Sequence, residues 1–302
     1  MRYATLTQGN NPTIAVVDSS TREFWPLAEA FPDFRQQPTN DMVSAIARLH
    51  QTQRTNEALK GGYSLDEAQI LAPISRPPRN IFCVGKNYRA HAMEFSGSGF
   101  DADAKSSQPV PEAPIIFTKP WTAISGPTDH IPLWPDIDKA VDYEGELAVV
   151  IGRAGRRISK ALALDHVFGY TILNDVTARD LQKTHKQWYL GKAVDGFAPM
   201  GPWIVTSDEL AADNLTITTT VNGEVRQNAS TADLIFDIPT LISTISLGTE
   251  LLPGDIIATG TPEGVGIGFS PPKFLREGDV VEVTVSGLGQ IRNVVRRVEY
   301  DR

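Results

Sequence analysis

Apolar and polar positions follow two different rhythms along this chain. Before residue 73, Tyr3–Thr7 and Thr13–Val17 alternate with a period of two, as short half-buried strands do. Val43, Ile46, Ala47 and His50 then recur at helical spacing, which predicts a helix with Asn40 as its N-cap. Pro73-Ile74-Ser75-Arg76-Pro77-Pro78 marks the seam, because successive prolines end regular structure and stiffen a connector. The expectation is a small N-terminal α/β domain over 1–72 and a larger domain over 73–302.

Beyond the seam the rhythm is that of many strands and few helices. Strands are predicted at Asn80–Val84, Ile115–Thr118, Leu147–Ile151, Val167–Leu173, Ile204–Thr206, Leu215–Val221, Asp255–Thr259, Val280–Val285 and Ile291–Val298. Asn222-Gly223 reads as a two-residue hairpin turn, since both positions of a type I′ turn need positive φ. Helices are predicted around Asn87–Glu94, near Ser159–His166, and over Ile238–Leu247 with Gly248 as the stop. No regular βαβ alternation is visible, which favours an α+β chain with a large antiparallel or mixed sheet over a doubly wound one. Residues 95–113, rich in Gly, Ser, Asp and Pro, predict a mobile surface loop, either a tolerated insertion or a substrate lid.

Composition narrows the function. The 302 residues are 41% hydrophobic and 21% charged, ordinary for a folded protein. The net charge of −8 argues against a nucleic-acid partner, which needs a basic surface, yet allows a small anionic ligand at a locally basic site. A single cysteine, Cys83, excludes an internal disulfide framework and fits a reducing compartment. Neither a signal peptide nor an apolar run of about 18 residues is visible, so a cytoplasmic protein without a membrane span is expected.

The informative chemistry begins at Asp142-Tyr143-Glu144-Gly145-Glu146. Residues two apart in a strand share a face, about 6.6 Å apart, so Glu144 and Glu146 would project together. A solvated Glu-x-Glu face is the ordinary explanation. Here the strand continues as Leu147-Ala148-Val149-Val150-Ile151, apolar on both faces, and two like charges at the end of a buried strand call for a cation. Asp175, in Asn174-Asp175-Val176-Thr177-Ala178-Arg179-Asp180, follows another apolar strand; alone it would pass for a helix N-cap. Three hard oxygen ligands without Cys suit Mg²⁺, Mn²⁺ or Ca²⁺ better than Zn²⁺, and leave open positions for water and substrate.

His91 and Glu94 are three apart on a predicted helix, close enough to hydrogen-bond. Such a pair is either an ordinary surface contact or a dyad whose carboxylate raises the basicity of the imidazole. His50, His130, His166 and His185 lack this combination of strand-end position and acidic neighbour. Lys86, Arg89, Lys119, Arg179 and Lys192 crowd around the acidic motifs, as an anionic substrate beside three carboxylates would require. Nucleophile-elbow, zincin and phosphate-loop motifs are absent, and Gly264-x-Gly266-x-Gly268 lacks the dinucleotide spacing, so it reads as a flexible loop.

Taken in order, Gly85-Lys86-Asn87-Tyr88-Arg89-Ala90-His91-Ala92-Met93-Glu94, Phe117-Thr118-Lys119-Pro120, Tyr143–Ile151, Asn174–Asp180 and Thr259-Gly260-Thr261-Pro262-Glu263-Gly264-Val265-Gly266 resemble the fumarylacetoacetate hydrolase family. The likeness runs from about Leu71 to the C-terminus. It implies a mixed β-roll catalytic domain, a homodimer, and Mg²⁺ or Mn²⁺ (with Ca²⁺ able to substitute) on Glu144, Glu146 and Asp175. It further implies His91, Glu94 and Lys192 as catalytic groups, and Lys86, Tyr88, Lys119, Arg179, Gln182 and Thr261 as substrate-binding ones. Lys86 stands where relatives commonly carry arginine, which loses a bidentate grip on a carboxylate. The activity implied is hydrolysis of a C–C bond in a small 2,4-dioxo acid. Decarboxylation and tautomerisation of a 2-oxo acid are alternatives within the same family. From another class, the acids could form a structural calcium site in a non-catalytic binding protein, which would leave the basic cluster and the His–Glu pair without a role.

Overall fold

A strand that is apolar on both sides has to be covered on both faces. The computed structural model, which describes residues 1–8, 11–50, 59–100, 109–137 and 139–299, places Gly145–Ile151 inside a large sheet with every residue buried. Leu147, Val149 and Ile151 enter one core with Ile172, Val205, Leu241 and Ile242. Ala148 and Val150 enter the opposite core with Phe34, Ile46, Leu49 and Phe168.

The sheet runs Tyr63–Ser64, Glu23–Pro26, Asn11–Asp18, Arg2–Gln8, Ala198–Thr206, Val167–Asn174, Gly145–Ile151, Ile256–Ala258, Ile81–Gly85, Ile115–Lys119. Neighbours in this order are antiparallel except for the parallel pair Ile256–Ala258 and Ile81–Gly85, and off this path Ile124–Ser125 also pairs in parallel with Ala198–Thr206, so the chain is α+β with a mixed sheet. The N-terminal strands join it at Arg2↔Val205 and Tyr3↔Ile204, so one sheet continues across the proline seam. A second sheet, Glu224–Ser230, Thr216–Val221, Val280–Val285, Gly289–Arg297 and Ile131–Leu133, packs Ile217, Val283, Val285 and Ile291 against the first core. Asn222 (φ 51°) and Gly223 (φ 79°) make the predicted hairpin turn.

Several boundaries differ from the sequence reading, each for a local reason. The helix Met42–Leu49 is capped by Asp41 rather than Asn40: its carboxylate accepts from the Val43 and Ser44 amides. The helix after Ile81–Gly85 is Arg89–Gly97, so it takes in the start of the expected 95–113 loop. Residues 101–108, on which the lid reading falls, lie outside the described residues. Lys160–His166 is 3₁₀ rather than α. Ile238–Ile245 stops with Ser246 in right-handed geometry, before Gly248 is reached. Ala198–Thr206 starts six residues before the expected Ile204, because Pro199, Gly201 and Pro202 interrupt its apolar pattern. Four short helices, Leu27–Ala30, Pro32–Gln36, Arg179–Thr184 and Tyr189–Lys192, are not predicted from sequence because none has room for an apolar stripe. Among the described residues no helix is long and apolar enough to cross a membrane.

The central strand gives a direct test. Leu147→Ala leaves a cavity in a core with no solvent exposure and is expected to cost about 2–5 kcal/mol in denaturant unfolding, with an unchanged slope. Leu162→Ala, at a residue 55% exposed, is expected to stay within about 0.5 kcal/mol of the parent.

Candidate active site

Antiparallel pairing sets Gly145 opposite Asn174, so the start of one buried strand and the end of its neighbour share an edge. Glu144, Glu146 and Asp175 meet there, each offering one oxygen within 4.8 Å of the others, and all three are buried. Glu144 lies just before the strand rather than within it. Its amide donates to Asn174 Oδ1 at 3.0 Å, and its carbonyl accepts from the Asp175 amide at 2.8 Å.

Buried cations answer these acids. Lys192 Nζ stands 2.8 Å from both Glu144 Oε2 and Asp175 Oδ2. Lys119 Nζ lies 2.7 Å from Asp175 Oδ1 and donates to the Val176 carbonyl at 3.0 Å. Arg179 reaches Glu144 Oε1 at 2.7 Å and Gln182 Oε1 at 3.1 Å with Nη1, while its Nε donates to Asp142 Oδ2 at 2.9 Å. Burial alone would raise Glu144, but Lys192 and Arg179 outweigh it and hold its carboxyl at about 2. Burial pulls Lys119 down despite Asp175, whereas Asp175 and Glu144 overcome burial and push Lys192 up.

Glu146 is the exception. Its Oε2 accepts from the Gly260 amide at 2.8 Å, but among the described residues no cation pairs with it. Burial, with Asp175 and Glu144 as like-charged neighbours, drives its carboxyl far above the ordinary range. Asp175 Oδ1 also accepts no well-aligned hydrogen bond, although Lys119 is close. An under-compensated carboxylate, Glu146, within a cluster of three hard oxygen donors fits a divalent cation.

His91 Nδ1 is 3.2 Å from Glu94 Oε2, and Glu94 Oε1 accepts from the Gly264 amide at 3.0 Å. The run Gly264-x-Gly266-x-Gly268, read from sequence as a flexible loop, is pinned, and so is the segment leading into it from Gly260. Thr261 Oγ1 donates to the Gly145 carbonyl at 3.0 Å and accepts from Gln227 Nε2 at 2.7 Å. The Gly266 and Ile267 amides donate to Asp142 at 2.6 and 3.1 Å. Gly264 has φ 94°, and a Cβ there would fall 1.9 Å from the Arg226 carbonyl oxygen. These glycines serve close approach, which spacing alone does not reveal.

A cleft of about 290 Å³ of empty volume opens on this cluster. Its polar lining is His91, Glu144, Arg179, Gln182, Lys192, Thr261 and Lys86, and its apolar lining Val84, Gly85, Phe95, Phe117 and Trp188. The two adjoin, with Lys192 Nζ 5.2 Å from the Phe117 ring centroid and the Arg179 guanidinium carbon 6.0 Å from that of Phe95. Lys86 holds φ 55°, uncommon outside glycine. Glu146, Asp175 and Lys119 are fully or almost fully enclosed and do not line the cleft, and Glu94 stands behind His91. Tyr88 is enclosed as well, with its hydroxyl unpartnered and burial pushing its phenol well above the usual range so that it stays neutral, and it also does not line the cleft. Sequence reading assigned no role to Asp142, Asn174, Gln227 or Trp188. Asp142 and Asn174 sit inside motifs already singled out, so their adjacency to the acids was the available signal; Gln227 and Trp188 carried none.

Three comparisons bear on this arrangement. The profile of the fumarylacetoacetate (FAA) hydrolase C-terminal family matches residues 80–296. Oxaloacetate tautomerase YisK of Bacillus subtilis (strain 168) is 51% identical over 234 residues, covering 77% of this chain and 75% of that protein. Fumarylacetoacetate hydrolase (EaFAH) from psychrophilic Exiguobacterium antarcticum superposes with a TM-score of 0.80 at 37% identity, covering 99% of this chain and 100% of that one. Maleylpyruvate hydrolase from Sphingobium sp. SYK-6, in complex with manganese(II) ion and pyruvate, does so with a TM-score of 0.75 at 29% identity, over 99% and 100%. The profile match, the sequence identity and the superposition together show that the chain belongs to the fumarylacetoacetate hydrolase family.

Proposed function

We propose that this enzyme is a divalent-metal-dependent keto–enol tautomerase of a small 2-oxo diacid of the oxaloacetate type. The observation that carries the reading is His91, oriented by Glu94, opening on the same small cleft as Glu144, Arg179 and Lys192. The likeness to oxaloacetate tautomerase supports it.

Glu144, Glu146 and Asp175 would hold the ion. When bound, a divalent ion supplies Lewis acidity that stabilises negative charge on a 2-oxo oxygen. The rest falls to side chains. Glu94 occupies His91 Nδ1, leaving Nε2 as the nitrogen that exchanges a proton. In the keto-to-enol direction the C3 proton would pass to Nε2, the C3–H electrons form the C2=C3 bond, the C2=O π electrons move to oxygen, and that oxygen takes up a proton from solvent while the imidazolium returns one to it. Arg179, Gln182 and Lys192 would bind and orient the carboxylates, whereas Thr261, expected from sequence to bind substrate, lines the cleft with its one hydroxyl proton already given to the Gly145 carbonyl. At this strand end Asp142, Glu144, Glu146 and Asp175 outnumber Lys119, Arg179 and Lys192 by one charge, and a divalent ion reverses that sign, which favours a dianion.

Hydrolysis of a C–C bond in a 2,4-dioxo acid is the second reading, favoured by the His91–Glu94 hydrogen bond, which equally suits activation of a water. The two part on one assay: oxaloacetate enol–keto conversion against pyruvate release from acylpyruvates.

His91→Ala is expected to lower turnover about 10²–10⁴-fold, while Mn²⁺ binding by calorimetry stays unchanged; loss of Mn²⁺ binding would make the histidine structural. Mn²⁺ at 100 times its Kd is expected to stabilise the chain by about 2.7 kcal/mol in thermal unfolding. Glu146→Gln should remove most of that gain, and an unaltered gain would place the ion elsewhere.

A further inference from the structure

The apolar lining of the cleft has a specific construction. Trp188 lies in the turn between the helices Arg179–Thr184 and Tyr189–Lys192, and its carbonyl accepts from the Lys192 amide at 3.2 Å. Its position is therefore tied to the segment that delivers Arg179, Gln182 and Lys192. The indole lies directly on Gly85, where a Cβ would fall 2.2 Å from Cζ3 and 2.7 Å from Cη2. It meets Phe95 edge-on at 5.8 Å between ring centroids and Phe117 edge-on at 5.3 Å. Three elements thus clamp one ring: the strand Ile81–Gly85, the helix carrying His91, and the strand Ile115–Lys119.

A substrate whose carboxylate and 2-oxo oxygen engage the charged side chains would have its remaining carbons left to the apolar lining, of which Trp188 is the largest side chain. Only glycine at position 85 lets the indole come so close, so the small–large pair fixes the depth of the cleft. A ring held on three sides does not swing aside at low cost, because tightly packed side chains resist displacement.

We infer that Trp188 sets the length limit of the substrate, closing the apolar part of the cleft against 2-oxo acids extended beyond four carbons. This rests on the site being a 2-oxo acid site, and it names the residue that selects among such acids. Hydrophobic pocket walls discriminate by about 10–200-fold per methylene, so the effect is measurable.

The test uses the full chain loaded with Mn²⁺, as wild type, Trp188→Phe and Trp188→Ala. Turnover of oxaloacetate is compared with turnover of acylpyruvates lengthened at the acyl end, and binding of pyruvate and the same acylpyruvates is followed by calorimetry. The expected result is a rise of about ten-fold or more in the long-to-short ratio of kcat/KM for Trp188→Ala, carried by KM, with Trp188→Phe between. A ratio unchanged while all substrates slow together would make Trp188 a structural prop and overturn the inference. Wild type that turns over none of these acids overturns the proposed function instead. Calorimetry then still decides the length limit, since equal affinity of wild type for short and long acids would overturn it.

Discussion

Burying several carboxylates at the end of one strand is the constraint around which this molecule is arranged. In a low-dielectric interior an unpaired charge costs several kcal/mol, and like charges a few ångströms apart raise that cost further. Asp142, Glu144, Glu146 and Asp175 are all buried where Gly145–Ile151 begins and Val167–Asn174 ends. The chain meets the cost with side chains from elsewhere in the sequence: Lys119 from a strand, and Arg179 and Lys192 from two short helices. Those helices matter for where they put their cations. Their own packing contributes less, since they present few apolar positions.

The strand alternation that makes the acids legible also explains what stayed hidden. Glu144 and Glu146 were readable because the residues after them are apolar on both faces, so a solvated explanation ran out of solvent. Asp175 was readable from its place at the end of an apolar run. The His91–Glu94 pair followed from helical spacing, and the structure closes it at 3.2 Å. Gln227 lies 82 residues from Gly145, whose amide it accepts at 3.0 Å, and no local pattern announces such a contact. Trp188 was invisible for a similar reason: its importance lies in the hydrogen that Gly85 has in place of a side chain. At the fold level, doubly apolar runs gave strands close to their true bounds. Short α segments such as Arg179–Thr184 and Tyr189–Lys192 escaped because periodicity needs length to show.

The Gly260–Gly268 loop adds a further principle. Its backbone amides donate to Glu146, Glu94 and Asp142, so one segment holds a cluster acid, the partner of the histidine, and the anchor of Arg179. Sequence offers residue types, whereas here the donors are peptide groups common to every residue but proline. What the sequence does encode is permission to come close. Beyond the Gly264 contact, a Cβ at Gly268 would lie 1.8 Å from Glu94 Oε1.

Neutral donors serve Glu146 better than a cation would. An ammonium beside it would lower the cost of its charge, yet would also repel a divalent ion from that oxygen by Coulomb's law at short range. The Gly260 N–H stabilises and aims the carboxylate with only a fractional positive charge, leaving its demand for compensation largely unmet. Glu144, by contrast, is already held low by Lys192 and Arg179. The asymmetry makes Glu146 the carboxylate whose burial most needs an added cation. It would also give Lys192 a second use: its ammonium pairs with both Glu144 and Asp175 and lines the cleft, so a cation that took over part of that pairing would leave it with donors for an anionic ligand.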